Sequence, residues 1–236
     1  MIRSSRTEPS TIEVSVTKPV SREPLRRNSR ANRARILATA RQELGRNPDI
    51  TLEELARAAG VVRRTLFGHF PGREALLEAL AEEASEALRS ALEAGARLVK
   101  DEPAERALAG FVLSMWPVGD RYRLLLSLAK RDLGAARVAE VLAPARDTAT
   151  GVLERGQREG VFHSHLPAAA MSAGLEGMTV ALLESINDGL LEDDGTRVAV
   201  ANLIATGVAE ERAREVVEAV APVVSAVTAG ADAGDG

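Results

Sequence analysis

Apolar residues along the chain recur at intervals of three and four positions, which is the spacing of one buried face on an α-helix. The first such segment is predicted to begin near Ser29, and its apolar face holds Ile36, Leu37, Ala40 and Leu44. Residues that favour strands are sparse outside scattered valines. The pattern therefore predicts an all-α protein.

Glycine, proline and short acidic runs divide the chain into successive helices. Two short helices are predicted, between Thr51 and Gly60 and over about 62–70, followed by a long helix over about 73–100. Further helices are predicted over about 103–116, 120–130, 134–158, 168–188 and 196–227. Residues 1–28 and 229–236 have few large apolar side chains, and we expect a disordered basic arm and a flexible tail there.

A capping box marks the start of the first short helix. Thr51 and Glu54 stand three positions apart, so the Thr51 hydroxyl can accept the Glu54 backbone N–H while the Glu54 carboxylate accepts the Thr51 backbone N–H. Gly60 can adopt the left-handed conformation that a sharp turn needs. Val62 is a poor N-cap for the helix that follows. The pattern predicts two short helices joined by a tight turn.

The amino-acid composition favours a helical fold and excludes several kinds of metal, redox and catalytic site. The chain has 41 alanines and six aromatic residues among 236 residues, and alanine has the highest helix propensity. The absence of cysteine excludes disulfides, thiolate zinc sites, iron–sulfur clusters and cysteine nucleophiles. No apolar run approaches the ~20 residues of a membrane helix, and no secretory signal is recognisable. We expect a cytoplasmic protein without a cofactor.

The charge is distributed unevenly between the two ends of the chain. The net charge is −4, but residues 1–74 contain 15 basic and 8 acidic residues, whereas residues 75–236 contain 15 and 26. A basic head on an acidic body indicates that the head meets a polyanion. Arg27 and Arg30 lie just before the predicted first helix and are candidates for contact with DNA; an inert solvated tail is the alternative.

Two short helices with a glycine turn and a basic second helix are typical of a helix-turn-helix. The second helix fits the major groove, where Arg63 or Arg64 could donate two hydrogen bonds to guanine O6 and N7. Thr65 could contact a phosphate or a thymine methyl group. Leu66 and Phe70 are predicted to anchor this helix to the protein core. A solvated basic surface is the alternative for the two arginines.

Four segments in the first third of the chain resemble sequence motifs of a known protein family. Arg35-Ile36-Leu37-Ala38-Thr39-Ala40, the run from Thr51 to Val61, Thr65-Leu66-Phe67-Gly68-His69-Phe70 and Arg73-Glu74-Ala75-Leu76-Leu77 resemble the N-terminal domain of TetR-type transcriptional regulators. This resemblance implies a three-helix DNA-binding domain over residues 29–75. It also implies a helical effector-binding and dimerisation domain over residues 76–228.

The resemblance also implies which side chains contact DNA. Thr51, His69 and Arg73 match positions that contact phosphates in the family, and Thr65 lies in the reading helix. The chain departs from the family pattern at Val62, at Arg64 and at Phe67, where a tyrosine is usual. The candidate DNA contacts are Thr51, Arg63, Arg64, Thr65, Phe67, Gly68, His69, Arg73, Arg27 and Arg30.

The second half of the chain contains a candidate ligand pocket. Few aromatic residues are available, and several of them cluster near position 116. The candidate lining residues are Phe111, Met115, Trp116, Tyr122 and Met178; ordinary core packing is the alternative. Arg121 or Arg123 could face an anionic group. His163-Ser164-His165 is predicted to be a solvated loop and not a metal site, because no further His or Cys accompanies it.

Small residues indicate a surface for close helix packing. Ala173, Gly174, Gly177 and Ala181 recur at spacings of three and four within the predicted 168–188 helix. This helix and the predicted 196–227 helix could form half of a four-helix dimer interface. Packing within one chain is the alternative.

We predict a homodimeric DNA-binding regulator, a repressor released from its double-stranded operator by a small hydrophobic ligand. No catalytic constellation stands out, so an enzyme is not expected. Two alternatives are an all-helical enzyme and a nonspecific architectural DNA-binding protein, which would show salt-dependent affinity without sequence preference.

Overall fold

A computed structural model describes residues 22–232, with side chains for residues 27–96 and 100–227. Within that part of the chain all regular structure is helical, which confirms the predicted all-α fold. The helices are α1 (Arg22–Arg46), α2 (Leu52–Ala58), α3 (Arg63–His69), α4 (Arg73–Lys100), α5 (Ala104–Asp132), α6 (Ala135–Arg158), α7 (Ala168–Asn187), α8 (Thr196–Ala205) and α9 (Glu210–Asp232). None of the helices in this part of the chain is long and apolar enough to span a bilayer.

The two ends of the described chain differ from the sequence prediction. Helix α1 begins at Arg22 and not near Ser29, so residues 22–28, predicted as part of the arm, are helical. Helix α9 continues to Asp232, beyond the predicted end at 227. Residues 1–21 and 233–236 lie outside the described residues, and the predicted arm and tail remain predictions there.

Helices α1, α2 and α3 pack around one small core together with the start of α4. Leu44, Leu55, Leu66 and Leu76 supply one fully buried side chain from each of these helices. Tyr122, Leu125 and Leu128 of α5 belong to the same core. We call helices α1–α3 the head, and α5 is the part of the body on which the head rests.

The body has a separate core, which α5 shares with α6, α7, α8 and α9. Trp116, Leu153 and Leu203 are buried in it. Helices α4 and α5 make the most extensive helix–helix contact of the described chain, and both run from the head core to the body. These two helices therefore connect the head with the body.

Proline does not end α5 where the sequence predicted a break. Helix α5 runs through Pro117 as one element and replaces the two predicted helices 103–116 and 120–130. Pro117 is exposed, while Trp116 on one side and Tyr122 on the other are buried. Tertiary packing of these neighbours outweighs the cost of a proline in a helix interior.

The predicted 196–227 helix is divided at a glycine turn. Gly207 has a left-handed φ of +99°, and the buried Thr206 donates its hydroxyl to the Leu203 carbonyl at 2.7 Å. The backbone N–H of His163 donates to the Thr206 carbonyl at 3.0 Å. Helix α8 therefore ends at Ala205, and α9 begins at Glu210.

Candidate nucleic-acid interface and ligand cavity

The capping box predicted at the start of α2 is present. The Glu54 backbone N–H donates to the Thr51 hydroxyl oxygen at 3.2 Å, and the Thr51 backbone N–H donates to the Glu54 carboxylate at 2.9 Å. These hydrogen bonds from Thr51 lower the pKa of Glu54. In the free protein the Thr51 hydroxyl also donates to this carboxylate, at 2.7 Å. Its predicted phosphate contact is not tested by this arrangement.

Helix α3 lies with one side in the head core and the other side in solvent. Leu66 is fully buried and Phe70 is 2% exposed, which confirms the predicted anchors. Gly60, with a φ of +63°, turns the chain between α2 and α3. Val62 provides no side-chain cap, as predicted. The residues that face outward are therefore fixed by a packed underside and not by a capping side chain.

The two arginines of α3 have different surroundings. Arg63 forms an ion pair with Glu53 at 2.9 Å, and its guanidinium lies 5.0 Å from the centroid of the Phe67 ring. Arg64 is exposed and makes no hydrogen bond or ion pair with the described residues. Arg64 is consequently the more available of the two for an external partner.

The other predicted contacts on α3 form the rest of its outer surface. Thr65, Phe67 and His69 are half-buried, and Gly68 is exposed. A side chain at Gly68 would meet no protein atom within 4 Å. The protein's own packing therefore does not require glycine at this position. We call Arg63, Arg64, Thr65, Gly68 and His69 the reading face.

Arg73 has three partners inside the protein. Its guanidinium donates to the Ile50 carbonyl at 3.1 Å and to the Pro48 carbonyl, and it pairs with Asp132 at 3.3 Å. In the free protein it therefore fastens the loop before α2 to the start of α4 and the end of α5. The phosphate contact implied by the family resemblance stays a prediction. Arg27 and Arg30 are exposed on α1.

A cavity of about 170 Å³ lies in the body between α4, α5, α6 and α7 and reaches α8. Of the five predicted lining residues, Phe111, Met115, Trp116 and Tyr122 line it, whereas Met178 packs against the body core without lining it. Arg121 and Arg123 do not line the cavity either. They pair with Glu83 at 3.6 Å and Asp120 at 3.0 Å, respectively.

Most of the cavity wall is apolar, and α6, α7 and α8 contribute a cluster of polar groups to it. Arg146 donates two hydrogen bonds to Glu176, at 2.9 and 2.8 Å, and this partner raises the pKa of Arg146. Ser172 donates to the Arg146 carbonyl at 3.1 Å. Asn202 and Thr179 complete the polar wall. These polar residues were not predicted, because they lie on three separate helices without a local motif.

Tyr122 connects the cavity with the head. Its ring lines the cavity and also belongs to the head core. Its hydroxyl donates at 2.9 Å to Glu83 of α4, and Glu83 forms an ion pair with Arg41 of α1. Burial raises the pKa of Tyr122, so the hydroxyl keeps its proton at neutral pH. A side chain in the cavity wall is thus two polar contacts away from the first helix of the head.

The surface of α7 combines small residues with free space. Ala173, Gly174, Gly177 and Ala181 are exposed, and a Cβ at either glycine would meet nothing within 4 Å. On α9, Val223 is 47% exposed. Within one chain, these small residues are not explained by packing against a neighbouring helix.

The two histidines predicted to lie in a loop are stacked on one another. The ring centroids of His163 and His165 are 5.0 Å apart, and His163 Nε2 lies 3.1 Å from the Ala205 carbonyl. Among residues with described side chains, no group of three or more His, Cys, Asp or Glu side chains is placed to hold a metal ion.

Comparison with known proteins links this geometry to a family. Residues 36–80 match the model of bacterial regulatory proteins of the tetR family. No curated protein matches the chain significantly. The matched residues contain α2, α3 and most of the head core.

Several solved structures share the fold. A tetR-family regulatory protein from Rhodococcus RHA1 is 19% identical, with a TM-score of 0.63 over 75% of this chain and 98% of that chain. The regulator LfrR from Mycobacterium smegmatis, solved with proflavine, is 23% identical, with a TM-score of 0.58 over 77% and 96%. The fatty acid degradation regulator FadR from Bacillus halodurans is 18% identical, with a TM-score of 0.61 over 75% and 95%.

These findings agree with the predicted resemblance to TetR-type regulators and with the predicted helix-turn-helix head. The family whose model matches residues 36–80 consists of regulatory proteins. The chain therefore carries an N-terminal segment that matches the tetR family and shares the all-helical fold of solved TetR-family regulators.

Proposed function

We propose that the chain is a homodimeric, sequence-specific repressor that a small hydrophobic ligand releases from its DNA operator. Arg64 carries this proposal, because its exposed guanidinium, on the outer side of α3, makes no hydrogen bond or ion pair with the described residues. In the major groove a guanidinium can donate two hydrogen bonds to guanine and so distinguish one base pair from another. The proposal places residues 29–75 on DNA in the cytoplasm and gives ligand binding and dimerisation to residues 76–228.

The surroundings of α3 support contacts with the DNA backbone as well. Thr51 and His69 lie at the two ends of the α2–α3 unit, and Arg27 and Arg30 are exposed on α1. Cations and backbone donors that meet phosphates set the position of a protein on the duplex. Such contacts make affinity fall with salt without distinguishing sequences. Sequence preference in this proposal therefore comes from the reading face.

The test compares duplexes at one salt concentration. Duplexes selected by the protein from a random library are labelled, and their affinity is measured by fluorescence anisotropy beside that of a scrambled duplex. We expect the selected sequence to bind at least ~10³-fold more tightly than the scrambled one. Equal affinities that fall together with salt would indicate the nonspecific architectural alternative. Repression predicts that deleting the gene raises transcription next to the selected site.

Dimerisation is proposed to use α7, with the neighbouring exposed parts of α8 and α9. Its small exposed residues permit the close approach of a second helix, and a two-fold dimer matches two half-sites on DNA. Ala173→Arg should give a lighter species by light scattering after size exclusion, with weaker operator binding. Ala136→Arg on an exposed part of α6 is the matched control and should leave the mass unchanged. An unchanged mass for Ala173→Arg would contradict this interface.

Release by a ligand is proposed to proceed through α4 and α5. The cavity lies against both helices, and Tyr122 joins the cavity wall to Glu83 and through it to Arg41 of the head. A ligand shifts the protein between two arrangements only if it binds one of them better than the other. Filling the cavity around Tyr122 would change the preferred arrangement of this contact and with it the position of the head.

A further inference from the structure

The polar wall of the cavity contains an acceptor without a partner among the described residues. Asn202 is 2% exposed, and its side-chain amide donates to the Val198 carbonyl at 2.8 Å and to the Thr179 hydroxyl oxygen at 3.3 Å. A carbonyl can only accept, so the amide nitrogen, and not the oxygen, must face Val198. The Asn202 side-chain oxygen accepts no hydrogen bond from the described residues. Because Asn202 lines the cavity, this oxygen is available to accept a hydrogen bond from a bound molecule.

Thr179 supplies the complementary donor beside it. Thr150 and Ser185 donate their hydroxyls to the carbonyl four residues earlier, which is the usual arrangement in a helix. The Thr179 hydroxyl accepts from Asn202 but donates to no described residue. Asn202 and Thr179 both line the cavity. Together they offer one acceptor and one donor, which is the complement of a single hydroxyl group.

The charged residues of the wall do not select a charged ligand. Arg146 and Glu176 are the charged lining residues of the described chain, and each satisfies the other through two hydrogen bonds. An anion or a cation in the cavity would have to compete for a partner that is already taken. Burying a charge without a partner is costly. The cavity therefore favours a neutral molecule.

The size of the cavity suits a small apolar group. An apolar cavity of about 150 Å³ holds benzene, and this one has a volume of about 170 Å³. Phe111, Met115 and Trp116 of α5 provide apolar lining. The space accommodates one six-membered ring and a small substituent.

From these observations we infer that the cavity binds a neutral, single-ring molecule with one hydroxyl group, which hydrogen-bonds to Asn202 and Thr179. The inference rests on the proposed function only in taking this cavity as the effector site. Asn202 and Thr179 would select this class of ligand. Binding to the free protein tests it without DNA, so its failure is distinguishable from a failure of operator recognition.

The test uses four probes of similar shape: cyclohexanol, methylcyclohexane, cyclohexanecarboxylate and cyclohexylammonium. None absorbs where tryptophan does, and Trp116, the single tryptophan of the chain, lines the cavity, so its fluorescence reports occupancy. We expect cyclohexanol to bind about tenfold more tightly than either charged probe. Tighter binding of a charged probe, or no binding by any of the four, would overturn the inference.

Variants then test the two residues. In Asn202→Leu and Thr179→Val, the ratio of cyclohexanol affinity to methylcyclohexane affinity should fall about tenfold and about threefold, respectively. Retained binding of methylcyclohexane shows that the cavity of each variant is intact. Thr150→Val is the matched control, because Thr150 does not line the cavity and its hydroxyl donates to the Arg146 carbonyl, so its ratio should not change. An unchanged ratio in Thr179→Val and Asn202→Leu, or loss of methylcyclohexane binding in both, contradicts the assignment.

Discussion

The reading face and the ligand cavity differ in polarity and in the charge of the partner that each can bind. On the reading face, polar and basic side chains project from a short helix whose underside is packed, and Arg64 has no partner in the part of the chain that the structure describes. In the cavity, apolar side chains surround a small space, and the charges of Arg146 and Glu176 cancel one another. The first arrangement suits a large polyanion and the second a small neutral molecule. A surface that binds a polyanion needs cationic side chains that are not already neutralised by the protein. A cavity that binds a neutral molecule needs its charged side chains to be neutralised by one another.

The largest effect is expected when the packed underside of the reading face is removed. Leu66 is fully buried in the head core, and Leu66→Ala should lower the free energy of unfolding by about 3 kcal/mol, measured by urea denaturation. Operator binding should be lost with it. Leu190→Ala, at a position 80% exposed, is the control and should change stability by less than about 0.5 kcal/mol. Similar losses at both positions would show that α3 is not anchored as described.

Arg63 and Arg64 of the reading face should contribute unequally to operator affinity. Arg64→Ala should weaken operator binding by about 2 kcal/mol and relax the preference at one base pair. Arg63→Ala should cost less, because Glu53 already neutralises part of the Arg63 charge. Anisotropy titrations with single base-pair variants of the selected operator measure both effects. A greater loss in Arg63→Ala would reverse the assignment of the base-reading residue.

The Tyr122 hydroxyl connects the cavity wall with the head, and its contribution to coupling between the two regions can be tested by removing it. Tyr122→Phe keeps the ring in the cavity wall and removes the hydroxyl that donates to Glu83. We expect the free energy of unfolding to fall by about 1 kcal/mol and cyclohexanol to displace the variant from the operator less effectively than the wild type. Parallel titrations of protein–DNA complexes measure the displacement. Full displacement of the variant would rule out this hydroxyl as part of the coupling.

Gly68 distinguishes contact with DNA from packing within the protein. Gly68→Ala should stabilise the head by up to about 1 kcal/mol, since alanine favours helices more than glycine and meets no protein atom. On the proposed function the same change should weaken operator binding, because the duplex would lie close to this position. Thermal unfolding and anisotropy, measured on the same sample, should move in opposite directions. Higher stability with unchanged affinity would place the duplex elsewhere.

The smallest expected effect is the pH dependence of the stability that the capping box contributes. Because Thr51 lowers the pKa of Glu54 in the folded protein, the ionised carboxylate contributes stability above its ordinary pKa of 4.5. That contribution should be lost as the pH falls from 4.5 through the lowered folded value. The difference in unfolding free energy between the wild type and Glu54→Gln should therefore shrink over this range. A difference that stays constant in acid would exclude the carboxylate charge as its cause.

The head was more predictable from sequence than the cavity. Thr51 with Glu54, Gly60, and the apolar pair Leu66 and Phe70 act over a few residues, so their local spacing predicted the capping box, the turn and the buried side of α3. These features also carry the family resemblance.

Features that depend on distant residues were not predictable in the same way. Gly45 lies near the end of α1, which continues to Arg46, and a Cβ at Gly45 would lie 2.6 Å from Leu124 of α5. The glycine therefore permits close approach of the head to the body. The Asn202 and Thr179 pair likewise depends on how α7 meets α8, which local spacing does not reveal.

Cross-linking to DNA can show whether the reading face lies in a groove of the duplex, as the proposed function requires. The chain has no cysteine, so Gly68→Cys and Ala136→Cys each provide a single attachment site for a photoactivatable cross-linker. We expect cross-links from position 68 to bases of the selected operator and none from position 136 on α6. Cross-links from position 136, with none from position 68 in a variant that still binds the operator, would contradict it.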